Sequence, residues 1–282
     1  MTLTVRPKDA PLGAELTGVD LSQPVDEETF AQLLEAWPEY MVLVFPAQDL
    51  DEDAQAAFAR RFGDLVKRKA TAGPKNPYAM VISNIQEDGK WIGAAPNGEL
   101  TFHTDRAFDE RPLKATMLYG IEVPSQGGQT VFANMYDVYD ALDPETRDLL
   151  ANCTADNRFV HDGYTDYQGG DPHAIHPTVV THPVTGRKLV YVNRHMTKEV
   201  MELEPEVYQP VLERIFAMVE SDEFNYVHEW SVGDLLLWDN RCTQHARRDF
   251  DPDERRLMRR FAVIGEEGGP RHEVDENSRV LV

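Results

Sequence analysis

Cysteine is scarce: Cys153 and Cys242 are the only two in 282 residues. Two thiols so far apart build no disulfide framework, and they fit a reducing compartment. Long hydrophobic runs are missing as well. The longest, residues 41–45 (MVLVF) and 235–238 (LLLW), are strand-sized and too short to cross a bilayer, so no membrane role is expected. The opening MTLTVRPKDAPLG lacks the apolar core of a signal peptide, and a cytoplasmic protein is expected. Basic residues are the minority, 28 Lys+Arg against 49 Asp+Glu, for a formal net charge of −21. Charge of that sign repels phosphate backbones and anionic lipid, which excludes a general nucleic-acid binder.

What is present is an ordinary globular composition, 41% hydrophobic, 27% charged and 9% aromatic, too apolar for a disordered chain. No internal repeat, low-complexity tract or linker divides it, so residues 1–282 are expected to form a single domain. Phe30, Leu33, Leu34 and Trp37 fall on one helical face, and Pro38 is expected to end that helix. Residues 41–45 read as a buried strand. A second helix follows, with Asp51 as its N-cap, Phe58 and Phe62 on one face and Gly63 as its stop.

Residues 78–83, 115–123, 130–133 and 188–193 read as strands, and Asp143-Pro144-Glu145 opens a short helix. Tyr208, Val211, Leu212, Ile215, Phe216 and Val219 make the longest helical stripe, with Pro210 expected in its first turn. Residues 225–230, 235–238 and 257–264 make the C-terminal third strand-rich. The pattern predicts a β-sandwich or barrel with helices on its outside.

The chemistry concentrates in two places. In Phe102-His103-Thr104-Asp105, an extended backbone would put His103 and Asp105 on one face, able to take adjacent positions on a metal. A chain with nine His and 49 acidic residues supplies a His-x-acid pair or two by chance, so this signal is weak alone. His245, in Trp238-Asp239-Asn240-Arg241-Cys242-Thr243-Gln244-His245, could complete two imidazoles and a carboxylate. That set is the facial triad of non-haem Fe(II) oxygenases, which leaves coordination positions open; zinc hydrolases can use the same ligand types.

Seven arginines crowd residues 241–260, beside the third proposed ligand of an otherwise acidic protein. Strand alternation puts Arg256 and Arg260 on one face, with Leu257, Arg259, Phe261 and Val263 on the other. Their backbones would lie roughly 13 Å apart, room for two separate anions. The planar guanidinium suits carboxylate or sulfonate, although a basic edge strand that discourages aggregation is an equal reading of these residues alone.

Further motifs connect these places. They are Leu12-Gly13-Ala14-Glu15-Leu16-Thr17-Gly18-Val19-Asp20-Leu21, Val42-Leu43-Val44-Phe45, Phe58-Ala59-Arg60-Arg61-Phe62-Gly63, Gly127-Gly128-Gln129-Thr130 and Thr181-His182-Pro183-Val184-Thr185-Gly186. With 102–105, 238–245 and 255–260, in this order and at this spacing, the chain resembles the taurine dioxygenase-like Fe(II)/2-oxoglutarate-dependent oxygenases. That family includes aryloxyalkanoate and alkylsulfate dioxygenases, and the resemblance covers nearly the whole chain.

The resemblance implies a double-stranded β-helix (jelly roll), mainly β with flanking helices. It implies His103, Asp105 and His245 as Fe(II) ligands, and Thr130 and Arg256 as contacts of the co-substrate 2-oxoglutarate. Arg260 matches an arginine that holds a substrate anion. It implies O2 as oxidant, succinate and CO2 as products, and hydroxylation of a C–H bond of a small anionic molecule. Sulfonates, aryloxyalkanoates, sulfate esters and amino-acid derivatives are the candidate substrates; taurine itself is not implied. Asp105 speaks against a halogenase, since related halogenases lack this carboxylate. Homo-oligomers, dimers or tetramers, are expected by analogy.

Phe102 stands where members often have Trp, and Gln129 replaces an Asp common before the Thr. Residues 92–100 and 159–176 match no substrate-contact motif. Asn84 is a candidate neighbour of the substrate, although Asn at a strand end is commonly a turn former. His161, His173 and His176 read as solvated loop residues, His182 as structural and Cys242 as a small packed residue. A metal-binding jelly roll without oxygenase activity and a zinc-type hydrolase remain as alternatives, and neither needs the Thr130–Arg256 pair.

Overall fold

The uninterrupted apolar runs explain the centre of the molecule. Strands Val42–Phe45 and Leu235–Asp239 are buried along their whole length. They pair antiparallel, Leu235 opposite Phe45 and Trp238 opposite Val42. A strand covered on both faces needs no polar alternation. In the computed structural model, which describes residues 2–67, 74–94, 98–159 and 172–272, both lie within a seven-stranded sheet. Its order is Thr4–Pro7, Ala14–Thr17, Val42–Phe45, Leu235–Asp239, Leu113–Glu122, Leu257–Ile264, Met80–Ser83. Only Ala14–Thr17 against Val42–Phe45 is parallel in that sheet.

A second, antiparallel sheet runs Asn225–His228, Thr130–Asn134, Thr243–Arg247, Leu100–His103. Phe132 and Ala133 share one core with Leu118, Leu236, Trp238 and Met258 of the larger sheet. The Phe132 and Trp238 rings meet edge-on at 5.3 Å. The other face of the larger sheet buries Leu43, Phe45, Met117 and Phe261 beneath α1 (Glu27–Tyr40) and α2 (Glu52–Arg60). Three further helices, α3 (Met135–Ala141), α4 (Pro144–Leu150) and α5 (Pro205–Val219), flank the shared core. The chain is thus mainly β with helices outside. Among the described residues no helix is long and apolar enough to cross a membrane.

Local signals explain most boundaries. Asp51 caps α2 through the Ala54 N–H, and Gly63 takes φ 140° just beyond its end. Asp143 caps α4, with Pro144 in the first turn. Three expectations need correction. Pro38 does not end α1, which runs to Tyr40; it sits in the last turn, where only the Leu34 carbonyl loses its donor. Met41, at φ 63°, makes the actual stop by returning its N–H to the Trp37 carbonyl. Pro210 lies in the second turn of α5, which begins earlier at Pro205; the unpaired Glu206 carbonyl belongs to an exposed face.

Residues 173–177 are not a loop. His173–Pro177 pairs with Thr154–Arg158, so Pro172 only precedes a short strand and Pro177 is its last residue; Asp171 lies outside the described residues. His176 is accordingly buried against the Asp109 carbonyl, whereas His173 is half-exposed and bonded to Asp156. His161 lies outside the described residues.

Candidate active site

Strand register makes the site. Leu100–His103 edges the smaller sheet, and its last residue, His103, is the direct partner of His245. The two imidazoles therefore stand side by side, with ring centroids 4.3 Å apart. Strand alternation does not place Asp105. The strand ends at His103, and Asp105 sits in the following turn, where Asn240 clasps its backbone. The Asp105 N–H donates to Asn240 Oδ1 at 2.8 Å, and Asn240 Nδ2 donates to the Asp105 carbonyl at 3.0 Å.

The carboxylate then lies 3.8 Å from His103 Nε2 and 3.9 Å from His245 Nε2. All three ligand atoms fall within 4.8 Å of one another, a spacing that could hold one metal ion. The His103 Nδ1–H donates to the Thr101 carbonyl at 2.8 Å, which fixes the tautomer and leaves Nε2 as the lone-pair nitrogen. Burial, with His103 and Arg260 nearby, pushes His245 down to about 3, so it is a neutral imidazole at neutral pH, the form that ligates metals. Burial pushes the Asp105 carboxyl up, but Arg260, His245 and His103 outweigh it and hold the group below the usual carboxylate range.

Arg260 approaches Asp105 Oδ2 at 2.6 Å, and Thr116 donates its hydroxyl to the same oxygen at 2.8 Å. Two groups not singled out from the sequence, Asn240 and Thr116, thus aim the carboxylate. Asn240 stood within a quoted motif; Thr116 left no sequence signal. A third, His195, stacks obliquely near His103 at 5.7 Å and is pushed down to about 4 by burial, His103 and Lys198.

Strand alternation does not place Arg256, which precedes the strand Leu257–Ile264, and the arginines of the cluster take separate partners. Arg259 points toward α2, bonding Gln55 and the Leu50 and Asp51 carbonyls. Arg241 grips both oxygens of Asp239, and Arg255 pairs with Glu122 at the surface. Arg256 is different. It is buried, 2% exposed, and its Nη1 makes no hydrogen bond among the described residues. Burial and the neighbouring Arg247 push it down to about 9. A desolvated guanidinium with an unused donor suits an anion.

Gly127-Gly128 makes room beside it. Both residues have positive φ, and a Cβ on Gly127 would stand 2.5 Å from the Asp249 carbonyl. A Cβ on Gly128 would lie 3.5 Å from Arg256 Nε. Thr130 follows, buried, opposite Arg247 in register. Gln129 donates to Glu229 at 3.0 Å, so an Asp there would face a carboxylate; this accounts for the departure noted in the sequence. Phe102 packs its ring against the shared core. Asn84 accepts from the Arg256 N–H at 2.8 Å and donates to the Pro252 and Glu254 carbonyls, so both ends of its amide are engaged by residues 252–256.

His182, Asp239 and Cys242 also bring ligand atoms within 4.8 Å. Their bonds are already spent: His182 Nε2 donates to Asp239, its Nδ1 accepts from the Val184 and Thr185 N–H groups, and Arg241 holds both Asp239 oxygens. Burial pushes the Cys242 thiol well up, which keeps it protonated. His182 is structural and Cys242 a packed residue.

Two imidazoles and a carboxylate form a cluster that could hold one metal ion, and Arg256 is a buried guanidinium with a donor to offer. The sequence matches the family described as "Taurine catabolism dioxygenase TauD, TfdA family" over residues 4–262. It is 35% identical to pentalenolactone F synthase of Streptomyces avermitilis, with 94% of each chain covered. It is 31% identical to the alpha-ketoglutarate-dependent 2,4-dichlorophenoxyacetate dioxygenase of Cupriavidus pinatubonensis, covering 94% of this chain and 98% of that one. The crystal structure of a taurine dioxygenase from Burkholderia xenovorans superposes with a TM-score of 0.81 at 27% identity, over 99% of this chain and 95% of the other.

The chain belongs to the TauD/TfdA family. It is a 2-oxoglutarate-dependent non-haem iron dioxygenase, with Fe(II) as its metal and 2-oxoglutarate and O2 as co-substrates. That membership sets aside the zinc-type hydrolase and the inactive jelly roll.

Proposed function

We propose that His103, Asp105 and His245 are the iron ligands of this dioxygenase, and that Thr130 and Arg256 hold the far carboxylate of 2-oxoglutarate. The supporting observation is the direct register of His103 and His245, with Asp105 reaching both imidazoles at under 4 Å. The donor set fits a ferrous ion: two imidazole nitrogens and one carboxylate oxygen are its facial triad. Bound there, iron supplies the activation of O2 that couples decarboxylation of 2-oxoglutarate to hydroxylation of a substrate C–H bond.

The protein's own contribution is positional. Asn240 and Thr116 hold Asp105, Thr101 sets the His103 tautomer, and Asn84 acts through the Arg256 backbone. The unused Nη1 donor of Arg256 meets the carboxylate. The architecture supports a double-stranded β-helix built as a single domain over residues 1–282. A cytoplasmic homo-oligomer, dimer or tetramer, fits the analogy with relatives.

The substrate is a small anion. Relatives named for phenoxypropionate, 2,4-dichlorophenoxyacetate and sulfate esters support a carboxylate or sulfate group, and those named for taurine a sulfonate. Arg260 is the cation at hand to receive it. Its 2.6 Å contact with Asp105 favours a second role, neutralising that ligand. Arg260→Ala separates the two: a higher KM at unchanged Fe(II) affinity identifies the substrate contact, and weaker Fe(II) binding identifies the Asp105 partner. The test of the assignment as a whole is anaerobic addition of Fe(II) and 2-oxoglutarate. A visible charge-transfer band is expected in the wild type and should be absent in His245→Ala. A band that survives in that variant removes His245 from the ligand set.

A further inference from the structure

Thr130 makes one contact that its role in co-substrate binding does not require. The indole Nε1–H of Trp230 donates to Thr130 Oγ1 at 3.0 Å. The sheet arranges this meeting. His228 is the register partner of Thr130, and Trp230 follows two residues beyond, past the Glu229 that takes Gln129. The indole is itself braced. His228 stands edge-on to it at 4.7 Å, held between the Tyr226 hydroxyl at 3.0 Å and Asp234 Oδ2 at 3.2 Å. Asp234 Oδ2 also accepts the Ser231 N–H at 2.9 Å, closing the turn that carries the tryptophan.

An indole nitrogen is a donor only, whereas a threonine hydroxyl has one donor and two acceptor sites and rotates freely. Once Trp230 occupies an acceptor site, the hydroxyl proton is turned away from the indole. A carboxylate accepts and never donates, so a hydroxyl fixed in this sense is already oriented for it. We infer that Trp230 is a positioning residue that commits Thr130 to donating, and so raises the affinity for 2-oxoglutarate without touching it. The inference rests on the proposed placement of the far carboxylate between Thr130 and Arg256. An accepted hydrogen bond also polarises the hydroxyl, which strengthens the bond it gives.

The test is a double-mutant cycle read as 2-oxoglutarate binding to the Fe(II) protein without oxygen, titrated through the charge-transfer band. Trp230→Phe keeps a flat aromatic ring and deletes the N–H; it should weaken binding about fivefold, the size of one ordinary hydrogen bond. The same substitution should cost nothing further in a Thr130→Val background, and should keep its full effect with Thr130→Ser. A residue that only packs would give the same loss in all three backgrounds, and that result overturns the inference. So does a Trp230→Phe protein that binds like wild type. Thr130→Val binding as tightly as wild type overturns both this inference and the placement of the carboxylate. A loss in Thr130→Val with no coupling overturns this inference alone.

Should Trp230→Phe fail to fold, the contact is readable from the other side. In the metal-free, 15N-tryptophan protein, the Trp230 indole signal should move in Thr130→Val relative to wild type. An unmoved signal overturns the inference.

Discussion

Arg256 shows how much the state of one side chain decides. Its guanidinium is held down to about 9 by burial and by Arg247, so it is charged at neutral pH but close to losing its proton in mild alkali. A bound dianion stabilises the charged form. Affinity for 2-oxoglutarate should therefore be flat below about pH 9 and fall as pH rises through it. Calorimetric titration from pH 7 to 10 measures this, and an affinity still level at pH 10 means that the guanidinium keeps its proton there. Arg256→Ala should weaken 2-oxoglutarate binding by about 10- to 100-fold, the range for a hydrogen bond to a charged group. At this scale the residue types were legible. His103, Asp105, His245, Thr130 and Arg256 all carried motif spacing. Asn240, Thr116 and Trp230 as supports were not, because hydrogen bonds between distant elements leave no local pattern.

At the scale of elements, capping and periodicity read well, and proline read badly. Asp51 caps α2 as expected. Asp51→Ala should cost about 1 kcal/mol in urea-induced unfolding, and the Arg259 bonds to the Gln55 side chain and the Leu50 and Asp51 carbonyls should keep the helix docked. A loss several times larger would mean that the cap does more than close the helix. Pro38 and Pro210 misled because the cost of an interior proline depends on which carbonyl it leaves unpaired. A last turn and an exposed face are both tolerant places. His173–Pro177 was hidden because its partner, Thr154–Arg158, carries mixed polar residues without clear alternation. Arg260 was separable from Arg259 by strand parity alone, since a strand of period two sends them to opposite faces, whereas Arg256 lies just before the strand.

At the scale of the whole molecule, the site spans two sheets. His103, His245 and Thr130 belong to the smaller sheet, and Arg260 and Thr116 to the larger. Metal and co-substrate should therefore tie the sheets together. Adding Mn(II) with 2-oxoglutarate at about 100 times its dissociation constant should stabilise the protein by about 2.7 kcal/mol. Differential scanning calorimetry should show this as one transition moving to higher temperature. Two transitions, with only one of them moving, would contradict a single domain.

The sequence by itself determined the candidate ligand types, the strand and helix periods, the negative net charge and the family, because these follow from composition, local spacing and order. Only the tertiary structure decided that His103 faces His245 across a strand pair, that a turn held by Asn240 delivers Asp105, and that Arg256 keeps a donor unspent in the dark of the interior. Those outcomes depend on register between strands more than a hundred residues apart, and on which polar groups burial leaves without water. Neither is written in any one stretch of chain.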